Sequence, residues 1–344
     1  MRNKFRMGVI GCGDIARYVI LAGKANKNIQ IVGCADLDEK RAQKYARWFR
    51  IPAAYSDYTD MLKEVKMDAV YLAVPHYLHY PIIKEIMDYD LHIFSEKPLV
   101  TSLDDAVELS GLAANRGIKL GTNCQYRYDN NCYALVQACR RGDLGEIYYG
   151  RSNVPWHRSG RYFELGPWRA NKSEAGGGTL MTQAIHSIDF LLWALGGKPL
   201  SVYGIIANAK FKDIEVEDLG MGVIEMDNGR YAEICSSMVV TPEQKVTVEV
   251  YGEKCMSVYT TNGYYSSLRF KGAKVKKDKF PVKGIHAISR CLEYYRRWVL
   301  YDEEFLNKAE NSYNALAAIL AVYKSARSGK KEPVAAISDA YIIE

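Results

Sequence analysis

The sequence predicts an α/β chain of two domains: a doubly wound parallel sheet over residues 1–124, then an α+β domain with a large, mostly antiparallel open sheet over residues 125–344. Three observations carry this. From Met7 to about Asn123, short apolar runs alternate with helix-period segments, the pattern of successive βαβ units. After Asn123 the rhythm changes to two helices and then a series of period-two strands bounded by Gly, Asn or Pro. A length of 344 residues is too great for one ordinary core and small for three.

Taken in order, the apolar runs predict strands at 7–10, 30–35, 69–74, 92–95 and 119–124. Helices fall between them near 15–26, 39–49, 58–64, 80–89 and 103–115, the last stopped by Asn115-Arg116-Gly117 with a cation in its final turn and Gly beyond it. A helix near 130–141 ends at Gly142, and one near 178–195 ends at Gly196-Gly197. Ser201 to Ala207, Gly222 to Met226, Tyr231 to Ser237 and Lys245 to Tyr251 alternate as strands, and the basic run Lys271 to Lys279 reads as a solvated hairpin between two strands. A final amphipathic helix spans about 311–328, with Leu316, Ile319, Leu320 and Tyr323 on its apolar side.

The formal charge of +6 is small for this length, and the basic residues are spread along the chain rather than gathered into an arm, which argues against a nucleic-acid partner. The eight cysteines (12, 34, 124, 132, 139, 235, 255, 291) form no C-x-x-C pair and no zinc-spaced Cys/His cluster, so no metal is expected and the thiols read as small buried apolar groups in a reducing compartment. Met1-Arg-Asn-Lys-Phe-Arg runs at once into a strand pattern, and no run is long enough for a membrane span. A cytoplasmic protein without a membrane partner is the expectation.

The first chemical motif is Gly8-Val9-Ile10-Gly11-Cys12-Gly13-Asp14-Ile15-Ala16, a strand, G-x-G-x-x-A, and a helix start. Gly11 allows a tight turn, Gly13 lets backbone approach a pyrophosphate, and Ala16 lets helix pack on strand. Unpaired N–H groups at the helix start, around Asp14 and Ile15, then face the phosphates. The next strand, Ile29 to Ala35, ends in Asp36, an acid 23 residues after Gly13. A carboxylate there accepts hydrogen bonds from ribose hydroxyls and repels a 2′-phosphate, which favours NAD over NADP. Strand, glycines, helix, strand and acid in this order describe a Rossmann dinucleotide site.

Two further motifs sit just after parallel strands: Val74-Pro75-His76-Tyr77-Leu78-His79 and Ser95-Glu96-Lys97-Pro98. Together with the glycine turn, with Arg127-Tyr128, Pro167-Trp168-Arg169, Gly176-Gly177-Gly178-Thr179-Leu180, His186-Ser187-Ile188-Asp189 with Trp193, and Ser325 to Lys330, they resemble the Gfo/Idh/MocA family of glucose-fructose oxidoreductases, inositol dehydrogenases and related sugar dehydrogenases. The resemblance spans nearly the whole chain, in family order. It implies that Lys97 points at the nicotinamide and the reacting hydroxyl, where an ammonium stabilises a forming oxyanion. It places Glu96, Val74, Pro75 and His79 on the cofactor side. It implies that His186 is the general base, an imidazole titrating near physiological pH.

The chain departs from the commonest family pattern at one position. Thr182, followed by Gln183, stands where an Asp four residues before the histidine is usual. At i and i+4 Thr182 and His186 share a helix face, so the hydroxyl is expected to hydrogen-bond substrate or the imidazole, although it can hold neither a proton nor a negative charge. Family members with a Gln-x-x-His version of the motif look like sugar dehydrogenases. Asp189 is expected to orient the imidazole, to meet a substrate hydroxyl, or to form a structural ion pair. Arg127, Trp168, Arg169 and Gln183 are candidates for binding a polyhydroxylated ring.

The leading expectation is therefore hydride transfer between a secondary hydroxyl of a cyclic sugar, glycoside or polyol and NAD, with a hexopyranoside oxidised at a ring hydroxyl as the specific form. An NAD-using glycosidase that works by transient oxidation and elimination, and a non-catalytic dinucleotide sensor, are the alternatives. The resemblance also implies a homodimer or homotetramer assembled through the second-domain sheet.

Overall fold

The computed structural model describes residues 4–263, 265–282 and 286–336. The chain divides into two compact units: Met1–Gln125 with Val282–Asn311, and Tyr126–Pro281 with Ser312–Glu344. The sequence reading made the second domain continuous from residue 125. Instead, the segment ending at Asn311 returns to the first unit.

In the first unit, strands β1 (Phe5–Ile10), β2 (Ile29–Ala35), β3 (Ala54–Tyr55), β4 (Ala69–Leu72), β5 (His92–Ser95) and β6 (Leu120–Thr122) form one parallel sheet in the order β3-β2-β1-β4-β5-β6. This order reverses direction beside β1, so the crevice at the carboxyl ends of β1 and β4 is where such sheets take ligands. The strands are buried on both faces, as a sheet covered by helices requires. Helices α1 (Ala16–Ala25), α2 (Glu39–Phe49), α3 (Tyr58–Glu64), α4 (His79–Met87) and α5 (Leu103–Asn115) connect them. Asp38, Asp57 and Ser102 cap α2, α3 and α5 by accepting from backbone N–H groups one turn in.

In the second unit, α6 (Asn130–Arg140) precedes β7 (Ile147–Pro155), the short helices α7 (Arg161–Glu164) and α8 (Lys172–Ala175), and α9 (Ile185–Leu195). Then come β8 (Pro199–Ala207), β9 (Leu219–Met226), β10 (Tyr231–Ser237), β11 (Val246–Gly252), β12 (Met256–Thr261) and β13 (Ser266–Lys271). The eight-stranded sheet has the order β13-β12-β11-β7-β10-β9-β8-β14, where β14 is Glu332–Pro333, and every pairing is antiparallel except β7 with β10. Helices α9 and α11 (Tyr313–Ser328) pack on one face.

In chain order, β13 is followed by α10 (Ala287–Tyr301), which belongs to the first unit and packs on α1. Its Tyr295 stacks on Phe94 of β5 with ring centroids 4.8 Å apart and meets Phe5 of β1 edge-on. The sequence reading did not assign this helix or β7, whereas β12 and β13 fall within the stretch to about residue 270 that it read as alternating strand. It also placed the hairpin wrongly: the turn joins β12 to β13, and Gly272 to Val282 is irregular chain, so the basic run follows a strand rather than joining two.

Candidate active site

The glycine turn is built as its residue types require. Gly11 has φ +91°, and a Cβ there would stand 2.3 Å from the Ala73 carbonyl oxygen, so both conformation and space demand glycine. Gly13 differs: a Cβ there would meet nothing within 4 Å. The protein leaves room against this stretch of backbone, beside the start of α1, whose first turn holds no acid and whose Ile15 supplies no side-chain cap. Those features fit a dinucleotide pyrophosphate. Tyr45 of α2 donates from its hydroxyl to the Gly13 carbonyl (2.8 Å) and fixes the turn from below.

Asp36 organises the same corner. One carboxylate oxygen accepts from Cys12 N (2.8 Å) and the other from Asp38 N (2.9 Å), while the Arg41 guanidinium lies 3.5 Å away. A carboxylate has about four lone-pair sites, so acceptor capacity remains for ribose hydroxyls.

His79 is fully buried between two loops. Its Nε2 lies 3.0 Å from Val74 O, and its Nδ1 lies 2.9 Å from Pro98 O and 3.1 Å from Leu99 O. Burial pulls its pKa below the ordinary histidine value, although the three carbonyls act in the opposite sense. The ring ties the loop after β4 to the loop after β5.

Glu96 is held by partners within the fold. It is buried, and Oε1 accepts from the Tyr71 hydroxyl (2.5 Å) and from Asn123 Nδ2 (2.6 Å), with Lys97 N 3.3 Å from Oε2. Burial, and then the neighbouring carboxylate, raise the Tyr71 pKa far above the usual phenol value, so it stays a donor. The carboxylate thus points inward and anchors the loop. Lys97 is the one residue from Ile93 to Val100 that is not buried.

In the second unit, the three glycines before the histidine helix have separate causes. Gly176 adopts φ +76° at the end of α8. A Cβ on Gly177 would stand 2.1 Å from the Tyr323 hydroxyl, and one on Gly178 would stand 1.8 Å from the Glu217 carbonyl oxygen. The helix then opens with a π-turn over Leu180–Ala184 before α9, an irregularity frequent at functional sites.

Thr182 is buried in that turn and its hydroxyl donates to Gly178 O (2.8 Å). This is the bond to the carbonyl four residues back that a helical Thr hydroxyl commonly makes. Gln183 Nε2 donates to the Tyr162 hydroxyl (2.8 Å) and to Thr182 Oγ1 (3.3 Å), and its Oε1 accepts from Arg158 (2.9 Å).

His186 is half-buried and stacks on Tyr126, with ring centroids 5.3 Å apart and planes 19° from parallel. The next residue, Arg127, makes a two-pronged pair with Asp189 at 2.8 and 2.7 Å, both side chains buried, with the guanidinium over Trp193. Of the roles expected for Asp189, the structural ion pair with Arg127 is the one seen.

Arg169 donates to Tyr162 O (3.0 Å) and lies over the rings of Tyr162 and Trp168. Arg158 lies over Trp156 and Tyr162. Trp168, Arg169 and Gln183 therefore belong to one polar aromatic cluster, to which the structure adds Trp156, Arg158 and Tyr162. Sequence reading missed these three because they follow a strand it had not assigned; the spacing Trp156-x-Arg158-x-x-x-Tyr162 was the available signal. It also missed Tyr126, which adjoins the Arg127-Tyr128 motif. Among the described residues no group of three His, Cys, Asp or Glu is arranged to hold a metal ion, and no helix is long and apolar enough to cross a membrane.

Comparison with known proteins agrees with this geometry. Residues 5–124 match the model described as an oxidoreductase family with an NAD-binding Rossmann fold, and residues 133–258 match the Gfo/Idh/MocA C-terminal domain. D-xylose 1-dehydrogenase (NADP(+)) 2 of Haloferax volcanii is 25% identical over 94% of this chain and 97% of its own. D-glucoside 3-dehydrogenase of Escherichia coli is 23% identical over 96% and 97%. The WlbA dehydrogenase from Bordetella pertussis, solved in complex with NADH and UDP-GlcNAcA, has a TM-score of 0.84 and 26% identity, covering 97% of this chain and 100% of that one. A glycine turn on the expected sheet, a half-buried Lys97 after β5, a histidine helix beside a mostly antiparallel sheet and matches to both domain models place this chain in the Gfo/Idh/MocA family of oxidoreductases.

Proposed function

We propose that this chain transfers a hydride between a secondary hydroxyl of a cyclic sugar, glycoside or polyol and NAD, and that a hexopyranoside ring hydroxyl is the reacting group. The observation that carries the reading is the setting of His186: an imidazole half-open on a stacked tyrosine, one turn beyond the Arg158-Gln183-Tyr162 cluster. That cluster offers guanidinium, amide and phenol groups beside indole faces, the mixture a polyhydroxylated ring requires. The whole-length relatives named for xylose and glucoside oxidation support the substrate class.

Bound NAD supplies the hydride acceptor at C4 of its nicotinamide. In the chain itself, His186 takes the hydroxyl proton, and Lys97 stabilises charge developing on the oxygen. Gly13 and the start of α1 hold the pyrophosphate, and Asp36 holds the ribose. The carboxylate of Asp36 favours NAD, while Arg41 beside it is the feature a 2′-phosphate would use.

The test is a panel of inositols, free sugars, glycosides and nucleotide sugars with NAD and NADP separately, read at the reduced-nicotinamide absorbance. Lys97→Ala and His186→Ala are each expected to lower turnover of any hit by about 10²–10⁴-fold. Full activity in both variants refutes the assigned roles.

The second-unit sheet supports assembly of two or four copies. α9 and α11 cover one face, and the other exposes Tyr149, Tyr203, Ile205, Met221, Val223 and Tyr231 on adjacent strands. Apolar side chains gathered on one sheet face in this way mark an association surface.

A further inference from the structure

We propose that Glu217 and Tyr323 are positioning residues that set the start of the His186 helix, and with it the π-turn that aims Gln183 and His186. This rests on the dehydrogenase reading above. An α-helix leaves its first N–H groups without partners inside the helix. Here the Glu217 side chain accepts from Gly178 N through Oε2 (2.7 Å) and from Leu180 N through Oε1 (3.0 Å), and its carbonyl accepts from Thr179 N (3.0 Å). One residue thus receives three consecutive amides.

Tyr323, from α11, donates its hydroxyl to Glu217 Oε1 (2.9 Å), while its oxygen faces backbone hydrogen bonds from Met181 and Gly178. All the partners of the carboxyl group are donors, which favours its ionised form, while burial acts in the opposite sense and raises its pKa. A negative charge at this end of a helix also complements the helix dipole.

The anchored atoms lead directly to the site. The Gly178 carbonyl accepts both the backbone N–H and the hydroxyl of Thr182, each at 2.8 Å, and Thr182 Oγ1 accepts from Gln183, which Arg158 and Tyr162 hold on its other side. Glu217 closes the β8–β9 loop. That loop is itself tied to the Trp168–Lys172 segment, through Glu215 N to Ala170 O and Lys172 N to Glu215 Oε2, both at 2.9 Å. Glycine at 177 and 178 follows from the same contacts, since a Cβ at either position would collide with Tyr323 or Glu217. A motif that reads as a generic helix start is therefore a close-packed latch.

Glu217→Gln keeps the shape but turns an NH2 toward backbone N–H. We expect kcat on the sugar found by the panel to fall about tenfold or more, as displacement of a reacting group does. KM for NAD and NADH affinity, read by fluorescence, should stay within about twofold, because the site for the nucleotide lies on the other unit. Tyr323→Phe keeps the ring and the two amide bonds to the Glu217 side chain but removes the hydroxyl bond, and its kcat should lie between Glu217→Gln and wild type.

The ring ¹H–¹⁵N correlations of His186, assigned by their absence in His186→Ala, should move in Glu217→Gln while those of the other five histidines hold. This readout needs no substrate. Unmoved His186 signals with wild-type kcat in both variants overturn the inference while leaving the dehydrogenase reading intact. Equal losses in kcat and in NADH affinity also overturn it, since they report general destabilisation. If wild type turns over no sugar, the dehydrogenase reading fails and the resonances alone judge the latch. If Glu217→Gln does not fold, Tyr323→Phe decides by the same two measurements.

Discussion

Replacing Asp36 by Ala tests how the nucleotide corner discriminates. The carboxylate would accept from ribose hydroxyls with the lone pairs left over after Cys12 N and Asp38 N are bound. Charge-assisted hydrogen bonds contribute about 1.5–3 kcal/mol each, so losing one should weaken NADH binding by roughly 10–100-fold. The effect on NADPH has the opposite sign. A 2′-phosphate placed about 5 Å from the carboxylate would meet a repulsion of roughly 3 kcal/mol per unit charge at an effective dielectric constant of about 20. Removing the acid lifts that repulsion and releases Arg41, 3.5 Å away, to face the phosphate. The ratio of NADPH to NADH affinity should therefore swing by roughly 10²-fold or more. The assay is titration of nicotinamide fluorescence with each reduced cofactor at fixed salt, beside a thermal melt. The melt should fall only slightly, because water can reach the two released N–H groups. Unchanged NADH affinity with unchanged NADPH affinity would refute the assignment of Asp36 to the ribose.

Other outcomes follow from particular contacts. Asp189→Ala leaves the Arg127 guanidinium buried without its carboxylate and should cost about 3–5 kcal/mol of stability, read as a lowered midpoint in urea; a change within about 0.5 kcal/mol would show the pair to be dispensable. Val223→Glu, in the middle of the exposed sheet face, should convert an oligomer to monomer by light scattering without changing the far-ultraviolet spectrum, and a wild-type monomer at micromolar concentration would refute the assembly. Burial alone would raise the carboxyl pKa of Glu293, but Arg296, Asn26 and Arg297 outweigh it and bring it down to about 2. A depressed carboxyl contributes stability that is complete above its unfolded value near 4.5 and is lost as pH falls toward 2. Glu293→Gln should flatten that acid limb of the stability curve, and an unchanged limb would refute the linkage.

Much of the first unit was legible because local patterns and tertiary demands coincide there. Strands buried on both faces read as continuous apolar runs, and helices such as α2, α3 and α5 fall at the residues their caps and stops predict. The unassigned α10 shows a signal overlooked rather than absent, since Ile288, Cys291, Leu292, Tyr295 and Trp298 repeat at helical spacing. Strand β7 was harder: Gly150, Arg151 and Ser152 interrupt its apolar character, and its pairing with β10 and β11 supplies what the local sequence lacks. At the site, residue types and spacing pointed to Gly11, Gly13 and Asp36, and the family resemblance to Lys97 and His186, but the partners of Glu96 and Asp189 depend on chain far away in sequence.

By itself, the sequence determined the class of the chain, the glycine turn with its acid, and the order of motifs that marks the family. Those features are local, because a strand, a tight turn and a helix start need only neighbouring residues of the right size and polarity. Tertiary structure alone decided which polar groups face inward. A carboxylate such as Glu96 or Glu217 is acceptable in a buried place only where donors from distant strands and helices meet it. No spacing along the chain records where those donors will arrive, so the latch on the His186 helix and the pairing of Arg127 with Asp189 became visible only once the chain was folded.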